Sequence, residues 1–256
     1  MKVSYVRLAL LPLAFMSLTA CNGLGIKVDG GYAQMEFSGD MKLAPSTTIP
    51  GLTLDPVDVQ DDLGLDAKVG TPYGRVEMGF VLGSITASGF THDQDGSGTL
   101  TTRFGDLTAS TPVTTSLELR NAKVALHFDL LNLGVFRVSP GIGLDVFDIN
   151  LNVSSLSLTE QIDVIAPVPM AFVQGEIDLG AVEAVIDVGA LKADVGDASG
   201  MFLDVEALLR YSPTPKIHAF VGARLIRIDA NGNADGQDFD LNLTLKGFMG
   251  GIGFDI

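Results

Sequence analysis

From residue 25 to Ile256, apolar and polar side chains alternate with a period of two, the repeat of a strand whose two faces meet different surroundings. Val76, Met78, Phe80 and Leu82 oppose Arg75 and Glu77, and Val124, Leu126, Phe128 and Leu130 oppose Asn121, Lys123 and His127. Phe136, Val138, Ile142, Leu144 and Val146 oppose Arg137, Ser139 and Asp145; Ala171, Val173, Ile177 and Leu179 oppose Gln174, Glu176 and Asp178. The pattern continues with Val182, Ala184, Ile186 and Val188 against Glu183 and Asp187, and with Met201, Leu203, Val205, Ala207 and Leu209 against Asp204, Glu206 and Arg210. Ile217, Ala219, Val221, Ala223 and Leu225 oppose His218 and Arg224, and Leu241, Leu243 and Leu245 oppose Asn242, Thr244 and Lys246. About ten strands are predicted, near 25–43, 71–82, 84–92, 113–130, 132–151, 167–179, 181–192, 200–211, 216–229 and 240–256. Short connections near Gly83, Leu131, Gly180 and Ser212-Pro213-Thr214-Pro215 alternate with longer polar ones near 44–70, 93–112, 152–166, 193–199 and 230–239. No internal repeat, linker or second domain breaks the series.

Tight turns at one end and longer loops at the other are the signature of a transmembrane β-barrel. The expected fold class is therefore all-β, an antiparallel transmembrane barrel of about ten strands. The same pattern admits eight strands, or a soluble β-sandwich or barrel. Against the soluble alternatives, the polar faces carry acids and Arg on strands that also hold Gly79, Gly143, Gly175, Gly189, Gly222, Gly250 and Gly251, which suits a narrow charged lumen. Composition agrees: 46% of residues are hydrophobic and mean hydropathy is +0.35, yet no run reaches the ~18 apolar residues of a spanning helix. With 16 Lys and Arg against 31 Asp and Glu, a nucleic-acid partner is excluded as an expectation, because binding phosphate needs clustered bases. One Cys rules out an internal disulfide framework.

That Cys ends a targeting segment. Lys2 and Arg7 precede an apolar run from Leu8 to Met16, the length of a signal-peptide core. Leu18-Thr19-Ala20-Cys21 resembles the bacterial lipobox, so residues 1–20 read as a lipoprotein signal peptide and 21–256 as one outer-membrane barrel domain. The resemblance implies palmitate-type lipidation of Cys21, and Asn22, where an Asp would retain a lipoprotein in the inner membrane, implies the outer membrane. At the other end, Gly251, Phe254 and Ile256 are similar to the C-terminal signal read by the barrel assembly machinery. Together, residues 25–256 resemble the small outer-membrane β-barrels of Gram-negative-type bacteria. That resemblance implies contact with outer-membrane lipid; the even strand number returns both termini to the periplasmic side, and no cofactor is expected.

Catalytic and metal chemistry find little support in the residues. Outer-membrane lipases place His and Ser two apart on one strand, but the triplets here are His92-Asp93-Gln94, His127-Phe128-Asp129 and His218-Ala219-Phe220. His92-Asp93 resembles part of the His-Asp pair of omptin proteases, although an acidic loop would offer it by coincidence. Asp93-Gln94-Asp95-Gly96-Ser97 and Asp229-Ala230-Asn231-Gly232-Asn233-Ala234-Asp235-Gly236 have the alternate oxygen ligands of calcium loops but lack a closing Glu, and read as solvated turns. Asp55, Asp58, Asp61, Asp62 and Asp66 likewise read as a solvated outer loop. The remaining constellation is a lumen network of Arg75, Glu77, Lys123, Arg137, Asp145, Glu176, Glu183, Asp187, Asp204, Glu206, Arg210 and Arg224, joined in the same reading by Asp178 and Lys246. Opposite charges in a narrow bore should pair into a plug. The expected function is a lipid-anchored barrel with a structural, adhesive or small-ligand-binding role and no enzyme activity. The alternatives are a soluble periplasmic lipoprotein holding an apolar ligand, and an outer-membrane hydrolase or narrow channel.

Overall fold

In the computed structural model, residues 25–47, 54–195, 198–234 and 237–256 are described. Strand β1 (Gly25–Leu43) is followed by the two-residue β2 (Val57–Asp58), then β3 (Val69–Phe80), β4 (Gly83–Thr99) and β5 (Pro112–Phe128). After the two-residue β6 (Leu131–Asn132) come β7 (Phe136–Ser154), β8 (Thr159–Asp178), β9 (Val182–Val195), β10 (Ala198–Thr214), β11 (Ile217–Ala234) and β12 (Gln237–Asp255). The ten long strands pair antiparallel with their chain neighbours, and β12 pairs with β1 from Asp255↔Lys27 to Phe239↔Leu43, which closes the barrel. Ile26 and Ile256 exchange backbone hydrogen bonds of 3.1 and 2.8 Å, so both described ends lie with the short turns.

Expected strand positions hold, but three expected long loops do not. Residues 152–154, 159–166, 193–195, 198–199, 230–234 and 237–239 lie in strands. Asp93 to Ser97 lies within β4 and Asp229 to Ala234 within β11. Their alternate oxygen-bearing side chains therefore point outward in a row, the geometry of a strand face and not of a loop wrapped round an ion. Among the described residues, the long connections at the loop end are those within 44–68 and 100–111.

Most strands run 17–20 residues, about twice the 9–11 that a tilted strand needs to cross a bilayer. The polarity of the faces divides them accordingly. In the short-turn half the outer face is apolar, with Val124, Ile142, Val173, Ile186, Leu209, Val221, Ile252 and Phe254 all exposed, while charged residues point inward. In the loop-end half the phase inverts. On β7 the outward residues change from Ile142, Leu144 and Val146 to Asp148, Asn150 and Asn152, as Phe147, Leu151 and Val153 become buried inside. Strands β5, β11 and β12 do the same, turning Leu117 and Leu119, Ile226, and Leu243 and Leu245 inward. The interior is thus charged in one half and an apolar core in the other.

The long loops complete that core. Strand β3 is only 12 residues long, and its last pair with β4 is Tyr73↔Phe90, so β1 and β4 run on without it. The segment from Val57 to Leu65 occupies the vacated place, with β2 pairing Met41 and Asp40 of β1. Val57, Val59, Leu63 and Leu65 are wholly buried, as are Leu100, Phe104 and Leu107 of the second loop. Gly96 and Gly98 of β4 provide the seat: a Cβ at Gly96 would lie 2.4 Å from the Gly64 carbonyl oxygen, and one at Gly98 would lie 2.0 Å from that of Asp62. Backbone meets backbone there, so no side chain fits. The acid run is not simply a solvated loop, because Asp62 is buried and accepts hydrogen bonds from the Thr101 amide (3.0 Å), the Thr101 hydroxyl (2.9 Å) and the Asp58 amide (3.0 Å).

Candidate functional site in the barrel interior

Strand alternation aims one side chain in two at the barrel axis, and in the short-turn half those inward positions carry the charges. Glu206 of β10 is the hub: it accepts from Arg75 Nη1 at 2.6 Å, Tyr73 Oη at 3.0 Å, Lys123 Nζ at 3.3 Å and Ser88 Oγ at 3.3 Å. Next to it, Arg224 holds Asp204 with a two-pronged contact, Nε to Oδ1 at 2.9 Å and Nη2 to Oδ2 at 3.0 Å, and Lys123 reaches the same carboxylate at 2.9 Å. Asp145 lies 3.7 Å from Arg224 and accepts from Asn121 Nδ2 at 2.5 Å.

A second group lies nearer the short-turn end. Arg210 bridges Asp29 (2.7 Å) and Glu183 (2.5 Å), with Glu77 at 3.6 Å; Lys27 also donates to Glu183. His218 Nε2 lies 2.5 Å from Asp29. Glu77 joins the two groups, 3.5 Å from Arg75 and 3.6 Å from Arg210, while Asp187 lies beside Arg75 (3.7 Å), Lys123 (4.0 Å) and His127 Nε2 (3.8 Å). At the rim, half-exposed Arg137 pairs with Glu176 at 3.2 Å and lies 3.8 Å from Asp129. All twelve residues expected in the lumen face inward, and all but Arg137 are buried or at the edge of burial. Two others do not belong: Lys246 points outward, with its side chain 54% exposed, and Asp178 is exposed at the rim. Lys246 sits in the inverted half of β12, where Leu243 and Leu245 take the inward places.

Several members escaped the sequence reading. Lys27 and Asp29 alternate with Ile26 and Val28 in the expected manner, but Gly30-Gly31 truncates that pattern. Tyr73 gives no charge signal although its hydroxyl completes the shell of Glu206.

Two aromatic rings separate the charged and apolar halves. Lys123 Nζ lies 5.8 Å from the centre of the Phe172 ring, and the Arg224 guanidinium 5.2 Å from that of Phe90, both within cation–π range. The Phe172 ring lies between Gly143 and Gly189, where added Cβ atoms would come within 2.7 and 2.4 Å of it. These two inward glycines make room for the ring.

Neither His92 with Asp93 nor His127 with Thr86 and Asp187 has the geometry of a nucleophile-activating relay. His92 points inward and is wholly buried against Gln94 (3.1 Å), whereas Asp93 points outward, so adjacent positions put the pair on opposite faces. His127 Nε2 meets Thr86 Oγ1 at 3.3 Å and Asp187 at 3.8 Å through the same nitrogen. A catalytic relay needs the acid on the other one. Thr86, His127 and Asp187 are also buried. Among the described residues, no group of His, Cys, Asp and Glu has the geometry to hold a metal ion.

No family model matches the chain, and no curated protein does. Solved structures do match. The outer membrane protease OmpT from Escherichia coli superposes with a TM-score of 0.59 at 11% identity, over 91% of this chain and 97% of that one. The fold is that of the ten-stranded outer-membrane barrels. Two further matches are more distant: Ail, the attachment invasion locus protein of Yersinia pestis (TM-score 0.37, 11% identity, 91% of this chain and 99% of that one), and the outer membrane protein AlkL (0.39, 11%, 100% and 97%).

Proposed function

We propose that this chain is a closed, non-catalytic outer-membrane barrel that stands as a rigid surface scaffold, structural or adhesive in role, held by its apolar belt and by a lipid on Cys21. The observation that carries this reading is the filled interior, ionic below and apolar above, with two loops packed into the mouth. Each buried charge of the lower half lies against opposite charge, and an unpaired charge there would be costly. The network therefore serves as a plug. The upper half packs like the core of a soluble β-protein, which suits a collar standing clear of the membrane with its polar face in water. A belt of about ten residues per strand at the usual tilt gives the roughly 25 Å apolar height of an outer-membrane barrel. The lipid rests on the lipobox resemblance of Leu18-Thr19-Ala20-Cys21, which lies outside the described residues.

The test is extraction of wild type and Cys21→Ser from membranes. Wild type should incorporate labelled palmitate and the variant should not, while both should still need detergent to leave the membrane. Release of Cys21→Ser by salt or alkali alone would show an anchored soluble domain instead.

A further inference from the structure

The outer wall carries a feature that a plugged scaffold does not require. Gly175 of β8, Ile186 of β9, Ala207 of β10, Ala223 of β11 and Phe248 of β12 lie on one cross-strand row. Their small members leave a dent of about 550 Å³ in the apolar belt, bounded by Phe136 and Phe248. Toward the loop end on the same wall, Lys192, Arg227 and Lys246 point outward from β9, β11 and β12. Each stands nine or ten residues in from the short-turn end of its strand, the length at which a tilted strand leaves the hydrocarbon. The three bases therefore share one height, that of the headgroups.

Their partners are few in a chain whose net charge is −15. Lys192 and Arg227 have no ion-pair partner among the described residues, and Lys246 lies 3.9 Å from Glu36, which sits closer to Lys68 at 3.5 Å. Arg120, the corresponding base on the far wall, lies 3.7 Å from Glu118 and 3.8 Å from Asp148. The acidic outward residues Asp194, Asp229, Asp238 and Asp240 stand farther toward the loop end on the same strands. Basic positions thus line the edge of the belt directly beyond the dent, with acids behind them.

We infer that this wall holds an acylated, phosphate-bearing lipid of the surrounding leaflet, one chain in the dent and its phosphate on Lys192, Arg227 and Lys246. The inference rests on the membrane reading above. Apolar area fixes the chain, while the guanidinium and ammonium donors select a phosphate headgroup over a neutral one.

The test uses the full-length protein purified in neutral detergent, with lipid A and dephosphorylated lipid A as probes and bound lipid counted by native mass spectrometry. Wild type should retain lipid A over the dephosphorylated form. The combined Lys192→Gln, Arg227→Gln, Lys246→Gln variant should lose that preference by on the order of a hundredfold, as expected for three bases near an anionic surface. Ala207→Leu with Ala223→Leu fills the dent and should lower retention of both lipids. All five positions are on the outer wall, and folding is checked by the heat-modifiable gel shift of the barrel. Equal retention of the two lipids by wild type, an unchanged preference in the Gln variant, or dimers in place of lipid adducts would each overturn the inference while leaving a membrane barrel in place. A wild-type protein that stays monomeric and soluble after detergent removal would instead overturn the membrane reading itself.

Discussion

Arginine placed at three positions of β11 should separate the belt, the collar and the core. Val221 is outward, 60% exposed, and four residues from the strand's short-turn end, about 10 Å into the apolar layer at ordinary strand rise and tilt. Val221→Arg puts a guanidinium near the bilayer midplane and should cost about 2–4 kcal/mol. Asp229 is also outward but twelve residues along, about 30 Å from the same end and past the belt. Asp229→Arg should therefore change stability by no more than about 0.5 kcal/mol, the usual range for a surface site. Ile226 is inward and 1% exposed in the upper core. Ile226→Arg removes a buried side chain, worth about 2–5 kcal/mol, and buries an unpaired charge besides, so that variant should fail to fold. Refolding from urea into lipid vesicles, followed by gel mobility without heating, ranks all three. If Asp229→Arg were as damaging as Val221→Arg, the phase inversion would not mark the edge of the membrane, and a folded Ile226→Arg would refute the apolar upper core.

Arg224→Met should destabilise the barrel by about 3–5 kcal/mol, since it leaves buried Asp145 without its cation and Asp204 with Lys123 alone, and adding Asp204→Asn should recover part of the loss; urea midpoints of the single and double variants check this. Gly98→Val drives a side chain into the Asp62 carbonyl, which a Cβ would approach to 2.0 Å, so the Val57–Leu65 segment should leave its seat. Limited proteolysis should then cut that loop at a protease dose that leaves wild type whole, while the gel shift of the barrel persists.

The strands of the short-turn half were legible because their inward residues are charged and their outward ones apolar, as on β9, where Glu183 and Asp187 alternate with Ala184 and Ile186. The upper half was misread for a physical reason. A period of two is the same whichever face is apolar, so Leu241, Leu243 and Leu245 against Asn242, Thr244 and Lys246 looked like belt when they are core. A clue is present in the phase. On β7 the apolar series passes from even positions ending at Val146 to odd positions beginning at Phe147, and on β11 it passes from Leu225 to Ile226. Two adjacent apolar residues at such a crossing mark where the apolar side of the strand passes from the outer face to the inner one. The outward Asn152, Gln161 and Asp163 of β7 and β8 looked like loop because a strand in water carries turn-like residues on its exposed face. The loop cap was invisible locally, since Val57 and Leu63 become core only by meeting strands far along the chain. Asp29 and Tyr73 became visible as network members only when closure brought β1 and β3 opposite β10.

The central claim is that the interior is shut, and the conductance of single purified barrels in a planar lipid bilayer tests it most directly. With the ion-paired layer around Glu206 and Asp204 below and the Phe147, Leu243 and Leu245 core above, the account predicts a baseline free of steady steps at neutral pH. Stable porin-like steps under those conditions would contradict it.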